Sequence, residues 1–545
     1  MSSFPIATGE YYKVDYSAGV DISCYKNLPV PTSYMAVNSK YDFVGGYEEH
    51  IEAGLLHVAD HHVNAGKKQW TWGNGDFGQA WDRNLTDEDG PYIELMTGMY
   101  CDNQPDFTWL QPYEEKSWVQ YFMPYQKVGM VKNATRDALV NLQPEADGRL
   151  KVILYTTAVQ RGARVMLQNT ITGKVYMDEI TTVSPAESFE GFANCEGEKM
   201  ENLKLTVLDE KGNVLVAYQA EKPEIKPIPE PAKAALDPKD IASMEQLFLT
   251  GHHLEQYRHA TYLPMDYYIE ALSRDEGDIR CNNAVGLLLM RKGMFAEAQK
   301  YFDRAIQTQT ERNPNPYDGE PYYNLGWSKK MQGDNDGAYD AFFKATWNAA
   351  WQDAGYMGLA QIDAIRGDFA YGLEHINRSL YRNWLNHKGR HLKTAILRNM
   401  KEYGEAEALI AESLKFDNFN MGCRFESYLI HLLQGNVEAA AVVKAEMKGL
   451  MRGAVNSYME YAIDYAAAGM YNEASLLLGF VTEDSEITYP MVYYALGYFA
   501  MKQGNEVAAL DYFRKAEMMA PDYCFPNKLE EVLMLQEAMR MNKEG

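Results

Sequence analysis

Over the C-terminal three-fifths of the chain, small and large apolar residues recur with a period near 34. One column reads Gly286, Gly326, Ala360, Thr394, Tyr428, Ala462 and Gly497, with spacings of 40, 34, 34, 34, 34 and 35. Seven positions later stand Gly293, Gly333, Gly367, Lys401, Gly435, Gly469 and Gly504. Five further on come Ala298, Ala338, Gly372, Ala406, Ala440, Ala474 and Ala509, and then Phe302, Phe342, Ile376, Ile410, Lys444, Leu478 and Phe513. A repeat of this length needs a small residue where two helices cross and a turn glycine between them. The second helix then needs an alanine and a large apolar residue. Four columns in register predict an α-solenoid of about seven repeats over 278–545, the fifth unit being the least regular.

Ahead of the repeats the pattern changes twice. SMEQLFLTGHHLEQYRHA and LPMDYYIEALSRD are two amphipathic helices within 237–277, placed to cap the solenoid. KPEIKPIPEPAKAALDPKD, with Pro223, Pro227, Pro229 and Pro231, predicts a stiff linker over 221–236. LKVILYTT, ARVMLQN, KVYMDEI, LKLTVLD and NVLVAYQ alternate with period two between turn residues, and predict a small β-sandwich over 146–220. Residues 1–145 are β-like and irregular. The first repeat gap holds TERNPNPYDGEPYYN, an insertion of the kind that forms a functional loop on one face of a solenoid.

Charge and composition narrow the functions. The chain of 545 residues carries 52 Lys+Arg against 76 Asp+Glu, a net charge of -24, which argues against nucleic acid or an anionic membrane as partner. An acidic solenoid would by this reckoning prefer a basic peptide. The six cysteines stand singly, without a CxxC pair, so no metal site or disulfide framework is signalled, and no cofactor is expected. The N-terminus lacks a basic region followed by an apolar run, and no apolar stretch is long enough to span a membrane. The expected compartment is the cytoplasm.

Most of the chemistry-bearing side chains lie between Tyr41 and Tyr125. His57, His61 and His62 fall within six residues, and carboxylates follow among five tryptophans between Trp70 and Trp118. Histidines and carboxylates among aromatic rings suit general acid–base work on a sugar, with the rings stacking on the pyranose. Glu94 lies inside the apolar run PYIELMTG, where a carboxylate is costly unless paired or used. It is the candidate base, with His57, His61 or His62 as acid. Trp72, Trp81, Asp82, Asp89, Asp106 and Trp109 are candidate substrate contacts. His252 and Arg258, on the first helix after the linker, are candidates for a wall that closes over the sugar together with the NPNPYDGE loop. The plainer alternatives are half-buried structural histidines, a solvated turn at DEDG and a polar helix surface.

The segments GKKQWTWGNGDFGQAWDRNLTDEDGPYIELMTGMYCDNQPDFTWLQPYEEKSWVQYFMPY and GHHLEQYRHATYLPMDYYIEALSRD resemble bacterial proteins in which a domain of unknown function, DUF5107, is joined to tetratricopeptide (TPR) repeats. That domain is similar to the galactose-mutarotase-like β-supersandwich. Mutarotases carry a catalytic glutamate in a pattern like L-E-S/P, followed by L-x-P-G-E-x-aromatic. Ile93-Glu94-Leu95 and then Leu110-Gln111-Pro112-Tyr113-Glu114 are similar to it, with Tyr113 where the family usually has Gly. The resemblance implies Glu94 as catalytic base and an upstream histidine as acid. The stretch before the small sandwich is short for that fold, so the expectation is an incomplete domain or one completed by a second chain.

The expected architecture is therefore multidomain α and β: a partial mutarotase-like β-supersandwich, a small β-sandwich and a TPR solenoid. Two functions stand side by side. One is a carbohydrate-binding or carbohydrate-active protein, mutarotase-, epimerase- or glycosidase-like. The other is a non-enzymatic TPR adaptor for protein partners.

Overall fold

The computed structural model describes residues 5–541 apart from 37–38, 102–107, 109, 111–115, 223–232, 258, 316 and 485–487. The described chain divides into two units, residues 1–108 with 116–234, and residues 235–545.

Among the described residues the first unit is antiparallel sheet with one α-helix and two single-turn 3-10 helices. Strands β1 (Thr32–Met35), β4 (Gly66–Thr71) and β5 (Ile93–Gly98) form one sheet in the order β1-β4-β5. Strands β2 (Phe43–Glu48), β3 (Ala53–Val58) and β6 (Tyr121–Gln126) form a second, in the order β6-β3-β2. Helix α1 (Asp76–Leu85) lies between β4 and β5 in the chain. Two-residue ladders at Ile6–Ala7 and Glu10–Tyr11 precede these sheets and enclose Ala7, Tyr16, Ile22 and Leu28.

A two-sheet sandwich follows. Residues 133–134, β7 (Ala138–Pro144), β8 (Leu150–Thr156) and β11 (Phe189–Ala193) make one sheet. Strands β9 (Gln160–Asn169), β10 (Val175–Val183), β12 (Leu203–Leu208) and β13 (Val214–Gln219) make the other, in the order β10-β9-β12-β13. Val140, Val152, Leu154, Val165, Leu167, Leu205 and Val207 fill the space between them. The other face of β7 and β8 is buried too, since Leu139, Ile153 and Tyr155 pack on Leu56, Met123 and Tyr125 of the β6-β3-β2 sheet. A strand buried on both faces shows no alternation. This is why Ala138–Pro144 escapes a period-two reading that begins the sandwich at 146.

The second unit opens with α2 (Met244–Tyr257) and α3 (Pro264–Arg274). Seven helical hairpins follow. The first four are α4/α5 (Ile279–Met290, Phe295–Thr310), α6/α7 (Glu320–Met331, Asn335–Ala345), α8/α9 (Gln352–Arg366, Phe369–Arg382) and α10/α11 (His387–Asn399, Tyr403–Phe416). The last three are α12/α13 (Met421–Leu433, Val437–Met451), α14/α15 (Val455–Ala467, Tyr471–Asp484) and α16/α17 (Met491–Lys502, Glu506–Glu517). A final helix, α18 (Leu529–Met541), ends the described chain.

The sequence columns acquire a steric meaning here. A Cβ on Gly286, Gly326 or Gly497 would stand 2.4, 2.6 and 2.4 Å from the rings of Phe302, Phe342 and Phe513. The glycine of one helix is the seat for the phenylalanine of the next. Where the seat is Ala360, Thr394 or Ala462, the partner column shrinks to Ile376, Ile410 and Leu478. In the irregular fifth repeat the small residue is replaced by Tyr428, which stacks on Phe425 at 5.6 Å, and Lys444 reaches over Phe480. The turn glycines all have φ between +74° and +83°, and Lys401 adopts φ +64° in the same place.

Helix α18 belongs to no hairpin. Leu529, Val532 and Leu533 pack with Met290, Phe295, Leu325 and Met331 of the first two repeats, and Val532 lies against the turn at Gly293. Its other residues, Met534 and Ala538, pack with the seventh repeat. Lys528 is paired with Glu460 of α14. Direct contacts cross the solenoid as well: Lys330 Nζ donates to the Ala467 carbonyl at 3.1 Å, and Ile365 lies against Gly469.

Candidate functional site

In the β unit, cross-strand register decides which candidate residues share a face. Trp70 pairs with Glu94 and Lys67 with Thr97. Directly paired residues point to the same side, and neighbours along a strand to opposite sides. Glu94 therefore shares a face with Trp70 and Lys68, whereas Lys67 and Leu95 face the other way. Glu94 is half-buried.

The histidines gather on the Lys67 side. Lys67 is 2% exposed, and its ammonium donates to the Tyr41 carbonyl and to Ser39 Oγ. Burial pulls its pKa down, against the attraction of Asp42. His57 is buried, with Nε2 2.8 Å from Gln120 Oε1 and Nδ1 buried without a partner. Burial lowers its pKa; the Gln120 bond opposes this and nearby Lys67 adds to it. His61 Nδ1 is 2.7 Å from Asp42 Oδ1, and exposed His62 Nδ1 is 3.0 Å from Asp60 Oδ1. Asp60, His61 and His62 bring three atoms able to ligate a metal within 4.8 Å of one another. Their chemistry would suit a divalent cation of the zinc type. The structure thus brings His57 and His61 together around Lys67 and Asp42, and sets Glu94 on the opposite face of β4 and β5.

The tryptophans form a platform on α1 and the end of β4. Trp72 and Trp81 stack at 4.5 Å with an interplanar angle of 11°, and Trp70 meets Trp72 edge-on at 5.3 Å. Phe77 meets both Trp72 and Trp81 edge-on. Phe77 is 58% exposed and Trp81 37% exposed, so two of these rings present area to solvent. Asp82 is already engaged: its buried carboxylate accepts Tyr25 Oη at 2.6 Å and the Tyr92 N–H at 3.0 Å, tying α1 to β5. Asp89 is exposed in a turn closed by its own N–H on the Thr86 carbonyl. Asp106, Trp109 and the similarity at 111–114 lie outside the described residues, as does Arg258. His252 is exposed on α2 and stacks on Phe248.

Sequence reasoning gave no role to Lys67, which it met just after the histidines, and passed over Gln120, Tyr25 and Phe77. No local pattern marks a lysine whose charge is satisfied by a backbone carbonyl.

It also passed over the interior of the solenoid. Arg398 Nε donates to Glu426 at 2.6 Å, Nη2 to Glu473 at 2.8 Å, and Tyr465 Oη to Glu426 at 2.6 Å. Lys388 pairs with Asp464 at 2.8 Å. Lys330 Nζ donates to Gln361 Oε1 at 2.5 Å, and burial brings its pKa down to about 8. Burial, with Lys388 and Arg398 nearby, holds His391 down to about 3, and its Nε2 has no partner. A narrow cavity runs past Gln361, Lys388, His391 and Asp464.

Among the described residues, no helix is long and apolar enough to cross a membrane. Residues 8–125 match the model of a domain of unknown function, DUF5107, and 133–218 that of a YphG-like protein, second domain. Residues 279–311 and 492–523 match a tetratricopeptide repeat. Among solved structures, the chain is similar to a tetratricopeptide repeat protein from Parabacteroides merdae, at 19% identity over 48% of this chain and 98% of that one, with a TM-score of 0.32. It is also similar to the C-terminal part of a TPR repeat-containing protein from Cytophaga hutchinsonii, at 11% identity over 55% and 98%, TM-score 0.32. A third is yeast Tom70, at 14% identity over 58% and 67%, TM-score 0.32. Stacked helical repeats of this kind present extended binding surfaces, which gives the chain a scaffold or adaptor role. The chain carries a DUF5107 domain joined to tetratricopeptide repeats.

Proposed function

We propose that this protein is a glycan-binding scaffold that holds a saccharide without converting it. The observation that carries the reading is the Trp72–Trp81 stack flanked by solvent-facing Phe77, a rigid aromatic surface of the kind that stacks on sugar rings. Acid–base chemistry at an anomeric centre asks for a base and an acid within reach of one sugar. Glu94 and the His57–Lys67 group face opposite sides of the sheet, which favours binding over mutarotation, epimerisation or glycoside cleavage. The platform would contribute affinity through ring stacking, with Lys68 and Glu94 available for hydroxyl groups on the Trp70 face.

Calorimetric titration of the full-length chain with a panel of mono- and oligosaccharides tests this. At least one saccharide should bind, Trp81→Ala should weaken it about tenfold, and Glu94→Gln should leave most of the affinity. If no saccharide binds, the glycan reading fails and the adaptor role stands alone. Anomer interconversion by the wild type that Glu94→Gln abolishes would replace binding with catalysis.

A further inference from the structure

We propose that the inner surface of the solenoid is a receptor for an acidic amphipathic helix, and that the chain's own α18 is a releasable occupant of it. In a TPR array the first helix of each hairpin lines the inner surface. Helix α18 packs chiefly on the first helix α16 and against residues of α4 and α6, and Lys528 just before it pairs with α14; its C-terminal half also meets the second helix α17 around Ala538. It reaches both ends of the array at once, with Val532 and Leu533 against the first two repeats and Met534 against the last.

The chemistry of the seat runs opposite to the net charge. The chain carries -24 overall, but Lys330 and Lys388 sit within electrostatic reach of Glu530, and Lys502 within reach of Glu537. Two contacts have the reversed sense, Lys528 against Glu460 and Arg540 within reach of Glu506, and Glu530 also lies near Asp464, the partner of Lys388. The fitting partner is therefore a helix with apolar residues at i, i+3 and i+4, as at Leu529, Val532 and Leu533, and carboxylates beside them.

Two features mark α18 as an occupant distinct from the repeats. It has no hairpin partner, whereas each preceding helix has one. Glu531 accepts from the N–H groups of Asn527 and Lys528 at 2.7 and 2.8 Å, so the helix closes its own N-terminus before it meets the groove. The residues joining it to α17 are irregular and run over the surface, with Met518, Tyr523 and Phe525 81, 90 and 73% exposed. A short surface tether of this kind lets a single helix leave while the hairpins stay stacked.

The test uses the full-length chain and a fluorescein-labelled peptide of residues 527–541. In wild type, tethered α18 competes with the peptide at high effective concentration. In Val532→Asp/Leu533→Asp the tethered helix cannot seat, and the peptide should bind at least tenfold more tightly than to wild type. A peptide bearing the same two substitutions should bind neither protein. A variant that keeps its helical circular dichroism and yet binds no peptide overturns the proposal. Hydrogen exchange on the wild type gives an independent reading if the variant does not fold. Amides of α18 should exchange well ahead of those of α16; exchange at the rate of α16 makes α18 part of the core and refutes its release.

Discussion

Removing Arg398 isolates a buried charge, and its cost can be worked from the contacts. Glu426 is fully buried, and its carboxylate takes one hydrogen bond from Tyr465 and its charge compensation from Arg398. Arg398→Met keeps most of the stem volume and deletes the guanidinium, leaving Glu426 with the phenol alone and Glu473, whose side chain is mostly buried, without this partner. Breaking a buried pair from one side costs about 3–5 kcal/mol. Burial already pushes the Glu426 carboxyl upward while Arg398 holds it down, so in the variant its folded pKa rises further. A carboxyl whose folded pKa lies above its unfolded value stabilises the fold at low pH and loses that contribution as pH rises. The deficit of Arg398→Met relative to wild type should therefore shrink between pH 7 and pH 5. Arg398→Met/Glu426→Gln removes the stranded charge, keeps an acceptor for Tyr465, and should recover all but about 1–2 kcal/mol. Urea melts followed by far-UV circular dichroism, which reports the helical unit, measure the series. Equal losses for the single and double variants, with no pH dependence, would refute the electrostatic account and leave only packing.

Three further outcomes follow from the repeat geometry and its interior. Gly497→Ala puts a methyl 2.4 Å from the Phe513 ring and should cost about 1–3 kcal/mol, with Phe513→Leu restoring part of it, as the Ala462 and Leu478 pairing already does; thermal melts of the three variants decide. Lys401→Gly should raise stability by about 1 kcal/mol, because Lys401 alone among the seven repeat turns holds φ +64° with a side chain; an unchanged melt would mean its contacts offset the backbone cost. His391 is held down to about 3 from 6.5, so the unfolded chain binds its proton first and stability falls as pH drops through 6.5. Between pH 7 and pH 5 that loss is about 2 kcal/mol, and His391→Phe should flatten the profile in denaturant titrations at each pH.

The solenoid could be read from the chain because its steric rule is local and repeats. A glycine at one position and a phenylalanine sixteen residues later meet in the same hairpin, and the rule reappears at Gly286, Gly326 and Gly497. The β sheets were legible only where one face meets solvent. Ala138–Pro144 was hidden because both its faces are packed. At the candidate site, residue types were recoverable but faces were not, since whether Glu94 and His57 share a side depends on strand register that no single run encodes. Phe77 and Gln120 reach the site from other segments. The amphipathic pattern of LEEVLMLQEAMRM announces a helix, but nothing in it says that its neighbours lie at the start of the array. Net charge misled for a related reason: the lysines facing α18 are few and inward, while the acidic excess is spread over the whole chain.

The contacts across the solenoid change how it should come apart. In an open repeat array each unit feels only its neighbours, so ends fray and stability grows by increments along a line. Here Lys330 reaches Ala467, 137 residues away, Ile365 meets Gly469, and α18 clasps the first turn at Gly293. The line has been closed into a loop. While α18 is seated the hairpins have no free end from which to fray, and its release loosens the first repeat as well as the seventh. Its folding must wait for partners far apart in sequence, which makes it slower and more all-or-none than repeat count alone suggests.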